Sequence, residues 1–412
     1  MKALKRKSLL VLAAAGAMTL VACGGNGATS SKQTADASST GTSSTPISSN
    51  SVAPAVYTRG DDTEIYNNVF GDFATAYATG KAATSDDERY VKYAKAEAKL
   101  LESGAFVPTT TQGGAYTMSR IAPRSIPYVY WGNDMDKLKY IITAKGTDAT
   151  SFIKKADREA MIALWKTARE GGAAYDPAAY LTAHGYTVGD SYATTTSAAP
   201  KTLDMLSTST QADTEQMCNC IENLIQYDNL GNMIGASADT WSWSADKKTV
   251  TFHIRSGTAW YTSDKSKYAD MKADDFVAGF QHMLDSAAGL EYLVDNVVVG
   301  VDEYLNKGAA FKDVGIKAVD DSTLTFTLVN PESFFLTRLA YTCFSPMNRA
   351  FFLAHGGAFG ITEFKAASAL PAYTYGTSMA NQVYNSAFIP SKWDLTDNGG
   401  STTLTKNANY WD

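Results

Sequence analysis

The residues whose types and spacing could do chemistry are four histidines, three body cysteines and one adjacent acid pair. His184, His253, His282 and His355 are scattered along the 412-residue chain and show no metal-ligand spacing. His253 alternates with apolar neighbours on a strand-like run, which gives it a solvated or ladder position. Cys218-x-Cys220 is a poor disulfide pair by geometry and a metal site only with further ligands, and none can be placed. Pairing of either with Cys343 is open, and buried thiols are the reading adopted for all three. Asp274-Asp275 resembles an acid pair for hydrolysis, but adjacent helix residues do not face one site, and Asp274 reads as a helix cap. The chain lacks G-x-S-x-G, H-E-x-x-H, phosphate-loop and dinucleotide patterns. No catalytic residue, metal ligand or cofactor is therefore assigned, and the chain is not read as an enzyme.

Cys23 is different, because its position carries the signal. Lys2, Lys5, Arg6 and Lys7 precede an apolar run over 8–22, too short for a comfortable membrane span. The run closes with Leu20-Val21-Ala22-Cys23. That arrangement resembles the lipobox of bacterial lipoproteins, which implies a signal peptide over 1–23 and a lipidated Cys23 as the mature N-terminus. Loss of those four cations takes the net charge from -6 to about -10. Residues 24–56 are dominated by Gly, Ala, Ser and Thr, and read as a disordered tether with a reach of about 30 Å. The expected location is the outer face of the bacterial cell membrane, held by lipid, or the periplasm.

The body must supply any binding surface. With 45% apolar and 19% charged residues its balance is globular, and 412 residues suffice for two or three domains with real cores. A net charge of -6 argues against a nucleic-acid partner. The 23 tyrosines, against 17 Phe and 7 Trp, suit either a wet binding cleft or ordinary sheet and surface positions. Ser85-Asp86-Asp87-Glu88 is a capping box, and its helix runs to Gly104. A second helical pattern spans 148–169. Weak periodicity over 173–197 marks a linker between segments 57–172 and 198–412. In the latter, Lys201-Thr202-Leu203-Asp204 reads as a strand and 211–224 as a helix with Met217, Cys220, Ile221 and Leu224 on one face. Val250, Phe252 and Ile254 define a half-buried strand. Phe276, Val277, Phe280, Met283 and Leu284 define a helix, and Asp320-Asp321-Ser322 joins a hairpin.

The ordered run Glu222-Asn223-Leu224-Ile225, the Gly231 turn, Ala236 to Trp241, Ser244 to Gly257, Ala273-Asp274-Asp275-Phe276-Val277 and Lys406-Asn407-Ala408-Asn409-Tyr410-Trp411-Asp412 carries a family resemblance. It resembles the N-terminal half of the extracytoplasmic oligopeptide-binding lipoproteins of ABC importers, solute-binding protein family 5. Asp87-Glu88-Arg89-Tyr90, Gln112-Gly113-Gly114-Ala115-Tyr116, Ser119-Arg120-Ile121-Ala122-Pro123 and Trp131-Gly132-Asn133 resemble the same family's C-terminal tail. Tail thus precedes head, as in a circular permutation or an incomplete chain.

The resemblance implies an α/β fold: a periplasmic-binding-protein-like, two-lobed Venus flytrap with most of the large third domain missing. It implies capture of oligopeptides for an ABC importer permease by a monomer. The alternative is a non-transporting surface lipoprotein that binds no peptide alone. By position, Glu222, Asn223 and Leu224 match the segment whose backbone lines the family's peptide. Thr111, Gln112 and Gly113 match the tail segment that approaches it.

Overall fold

The computed structural model describes residues 62–106, 118–127, 136–196, 198–332, 334–395 and 400–412. The chain divides into two compact units, Met1–Gly113 and Gly114–Asp412.

The described part of the first unit is a helical hairpin, Asp62–Lys81 and Asp86–Glu102. Ser85 caps the second helix by accepting from the Glu88 N–H, while the Glu88 carboxylate accepts from the Thr84 N–H. The first helix has no counterpart among the sequence expectations. Its signal is the aromatic stripe Tyr66, Phe70, Phe73 and Tyr77 at helical spacing, interrupted by Gly71 and Gly80. Tyr77 stacks on Tyr93 with centroids 5.2 Å apart.

The second unit is α/β. Its central sheet is antiparallel in the order β3 (Ala238–Trp243), β4 (Thr249–Ile254), β8 (Thr323–Thr327), β7 (Ile316–Ala318). Three two-stranded ribbons complete it: β1 (Ile225–Tyr227) with β2 (Met233–Gly235), β5 (Ala259–Tyr261) with β6 (Lys267–Asp270), and β9 (Phe388–Asp394) with β10 (Ser401–Lys406). Val250, Phe252 and Ile254 are buried on β4, as their alternation requires, and His253 points outward to Asp239 at 2.8 Å. The β7–β8 turn is closed by Asp320, which accepts from the Ser322 N–H.

The helix Ala273–Ser286 lies against this sheet, with Phe276, Phe280, Met283 and Leu284 buried. Its capping residue is Asp275, not the expected Asp274. Asp275 is buried and accepts from the Lys272 N–H at 2.9 Å and from the Trp260 indole N–H at 2.8 Å. Asp274 faces out and forms a two-point pair with Arg349. Burial pushes the Asp275 carboxyl up to about 6 against the hydrogen bonds it accepts. Gly279 sits where this helix meets the backbone of residues 345–347, and a Cβ there would run into the Ser345 carbonyl. Gly279→Ala is therefore expected to cost about 1–3 kcal/mol, read as a lower midpoint in urea, because backbone rather than a flexible side chain must give way.

Three other expectations change. The run 201–204 is a loop, not a strand: the Asp204 side chain accepts from the Leu206 N–H and pairs with His282, and both side chains are buried. The helix expected over 211–224 ends at Met217, and the chain then turns and runs into β1. Met217, Cys220, Ile221 and Leu224 are all buried, so their pattern reported burial rather than helix. The pattern over 148–169 resolves into a short 3-10 turn, Ala149–Ser151, capped by Asp148, and the helix Lys155–Arg169.

Residues 173–197 hold a helix, Pro177–Ala183, capped by Asp176. Its Leu181 is buried with Met161 and Trp165 in a second hydrophobic cluster. Cys218, Cys220 and Cys343 are buried thiols that form no disulfide with one another. Among the described residues no helix is long and apolar enough to cross a membrane.

Candidate functional site

Glu222, Asn223 and Leu224 lie on the approach to β1, just after the helix Gln211–Met217. All three side chains point into the protein. Asn219 prepares the site from one turn earlier. Its Oδ1 accepts from the Leu138 N–H at 2.6 Å, and its Nδ2 donates to the Asp136 carbonyl at 3.0 Å. That side chain therefore clamps residues 136–138 in place, which brings Lys137 to Glu222.

The Glu222 carboxylate is 0% exposed. Lys137 Nζ donates to Oε1 at 2.6 Å and the Tyr410 hydroxyl donates to Oε2 at 2.7 Å. Lys139 Nζ lies 3.9 Å from Oε2 and donates to Tyr410 at 3.0 Å and to Asp412 at 2.9 Å. The Tyr140, Tyr410 and Trp411 rings surround Lys139 at 4.8 to 5.4 Å, and Arg255 covers Trp411 at 3.9 Å. Burial pushes the Glu222 carboxyl up, but the Lys137 and Lys139 ammonium groups outweigh it and hold it below the usual range. Burial, and then the Glu222 charge, raise the Tyr410 phenol. Burial, and then Glu215, push Asp136 up to about 6.

The main chain of the stretch is also engaged. Asn385 accepts from the Glu222 N–H at 2.8 Å and returns a bond to its carbonyl at 3.3 Å. The Asn223 carbonyl accepts from Ser237, and the Leu224 carbonyl accepts from Ala236 and Ala238. The Asn223 amide donates to the carbonyls of Leu339 and Tyr341, and its Oδ1 accepts from Ser345. This cluster can hold three distant stretches, 136–140, 219–224 and 407–412, against one another. It has an ionised, saturated carboxylate and no nucleophile beside a base. Among the described residues no group of three or more His, Cys, Asp or Glu is placed to hold a metal.

Of the residues expected from sequence, only Glu222, Asn223 and Leu224 fall among those described. Thr111, Gln112, Gly113 and Cys23 lie outside them. Lys137, Lys139, Asn385 and Tyr410 were not anticipated. Lys137 and Lys139 did carry a signal, since they alternate around the apolar Leu138 as the same-face pair of an extended chain does.

Residues 232–412, which include all of β3 to β10 and Tyr410, match the family model described as bacterial extracellular solute-binding proteins, family 5 Middle. This segment is similar to the family 5 solute-binding proteins. The chain is 38% identical over 214 residues to oligopeptide-binding protein SarA of Streptococcus gordonii, covering 52% of this chain and 30% of that one. It is also 38% identical over 216 residues to oligopeptide-binding protein AmiA of Streptococcus pneumoniae, with the same coverage. The chain thus spans 30% of the length of each of these relatives. Among solved structures, the substrate-binding domain of the oligopeptide ABC transporter of Bacillus anthracis matches with TM-score 0.44 and 27% identity, over 53% of this chain and 38% of that one.

Proposed function

We propose that this chain captures oligopeptides outside the cytoplasmic membrane and delivers them to an ABC importer, as a monomer anchored by lipid on Cys23. The observation that carries the reading is the 38% identity to two proteins named for oligopeptide binding.

In this reading, Glu222 to Leu224 stiffen the edge of the binding lobe and present the main chain near the peptide. Peptide backbone pairing at a strand edge is blind to sequence, which suits a general importer, and closure of two lobes would bury the ligand. The protein binds and releases, with no covalent step.

The test is mass spectrometry of the purified mature chain for co-purified peptides, with calorimetry against a mixed peptide library. Bound peptides and measurable heats are expected; a clean protein with no heat would sink the reading. Labelled palmitate should enter the wild type and be absent from Cys23→Ser. The competing reading is a surface lipoprotein that binds no peptide by itself. A cooperative melt that peptides leave unshifted would select it.

A further inference from the structure

Three parts of the second unit meet at one carboxylate: strand β5, the start of the helix Ala273–Ser286 and the turn at 345–348. Asp275 is 5% exposed, and Trp260 and Asn348 beside it are buried as well. Its Oδ2 accepts both short bonds, from the Trp260 indole N–H at 2.8 Å and the Lys272 N–H at 2.9 Å. Its Oδ1 meets the Asn348 amide at 3.4 Å, and the Arg349 N–H acts on the carboxylate more weakly. The Asp275 carbonyl accepts from the Met347 N–H at 2.9 Å, which ties the turn to the same residue.

All of these donors are neutral. The two cations nearby are committed to other acids. Arg349 forms its two-point pair with Asp274 at 2.6 and 2.9 Å, and Lys272 Nζ lies 2.9 Å from Asp321. The Lys272 ammonium also feels Asp275 and Asp270, but less than it feels Asp321. Asp274 next in the chain adds a repulsive charge. An ionised Asp275 is thus a buried anion with hydrogen bonds but no dedicated counter-ion. A proton removes that conflict. Placed on Oδ1, which holds only the long bond to Asn348, it leaves Oδ2 to accept from Trp260 and Lys272 as before.

We propose that Asp275 is a proton-operated fastener, which holds β5, the helix start and the turn at 345–348 together more firmly in mild acid than at neutral pH. Its direction follows from linkage. Burial, the largest influence, pushes this carboxyl up to about 6. An unfolded aspartate sits at about 3.9, so between the two values only the folded chain keeps the proton. Stability from this group therefore falls as pH rises through that window and levels off above it. The inference does not depend on what the chain binds.

The test is urea unfolding of the full chain at about pH 5 and about pH 7.5, for the wild type and Asp275→Asn, whose amide stands in for the protonated acid. The wild-type unfolding constant is expected to rise about tenfold more between the two pH values than that of Asp275→Asn. Other carboxyls raised by burial, such as Asp136 and Asp285, titrate in both proteins and cancel in the comparison. Equal changes in the two proteins overturn the proposal. The Trp260 indole N–H gives a second reading in the wild type alone, which decides the matter if Asp275→Asn does not fold. Its nuclear magnetic resonance signal, assigned by its loss in Trp260→Phe, should move with a midpoint at about pH 6. A signal that stays in place from about pH 5 to about pH 7.5 overturns the proposal as well.

Discussion

Glu222→Gln is expected to destabilise the second unit by about 3–5 kcal/mol, a large part of the usual stability of a domain. The amide keeps the shape of the carboxylate, and the Tyr410 hydroxyl can still donate to its oxygen. What is lost is the charge opposite Lys137, whose side chain is 4% exposed and sits 2.6 Å away. Lys139 keeps Asp412 as a partner, but the buried Lys137 ammonium loses the carboxylate charge 2.6 Å from it. Lys137→Met should cost less, because Lys139 and Tyr410 still face the Glu222 carboxylate. The double variant Lys137→Met/Glu222→Leu should recover much of the loss, since two apolar side chains carry no desolvation penalty. Urea titration followed by tryptophan fluorescence reads all three.

The same carboxylate sets a pH dependence. Its folded value is depressed, so its contribution is present above the ordinary glutamate value of about 4.3 and is lost as pH falls through the lower folded value. Wild-type stability should therefore drop in that acid window, and Glu222→Gln should drop less steeply there. Equal slopes for the two proteins would rule out the depressed carboxyl.

Phe326→Ala is expected to cost about 3–5 kcal/mol through a cavity between the sheet and its helix. Phe326 is 1% exposed on β8, and four phenylalanines surround it. Phe335 lies at 5.5 Å, Phe280 at 5.9 Å, Phe344 at 6.2 Å and Phe252 at 6.3 Å between ring centroids, most of them edge to face. Such a cluster of rigid rings collapses poorly around a void, so the full cavity cost should be felt. Val319→Ala on the same hairpin, at a residue 65% exposed, should stay within about 0.5 kcal/mol. A similar small loss for Phe326→Ala would mean that the rings are not packed as described.

These two residues differ in how far their roles can be read from the chain. Phe326 alternates with polar neighbours on a short run that follows an Asp-rich turn, so both its strand and its inward direction are local properties. The Ser85 cap, the β4 alternation and the outward His253 are legible for the same reason. The two adjacent acids at the start of the helix Ala273–Ser286 show where local reading stops. Either side chain could cap, and the choice fell to Asp275 because Trp260 and Asn348 reach it, while Arg349 holds Asp274 outside. The helix expected over 211–224 failed similarly. Apolar spacing reported burial, but Asn219 spends its side chain on residues 136–138, and Asn385 takes the main chain of Glu222.

By itself, then, the sequence determined the α/β class, the β4 strand and the β7–β8 hairpin, the Ser85 cap, and the ordered motifs that the family 5 match covers. Those depend on periods of two or three to four residues and on side chains that bond their own neighbours. Only the tertiary structure decided that Glu222 is a buried ion-pair centre. Its partners Lys137 and Tyr410 lie 85 and 188 residues away in the chain, and no local period connects them. Charges that far apart become one cluster only after the chain has excluded water from between them.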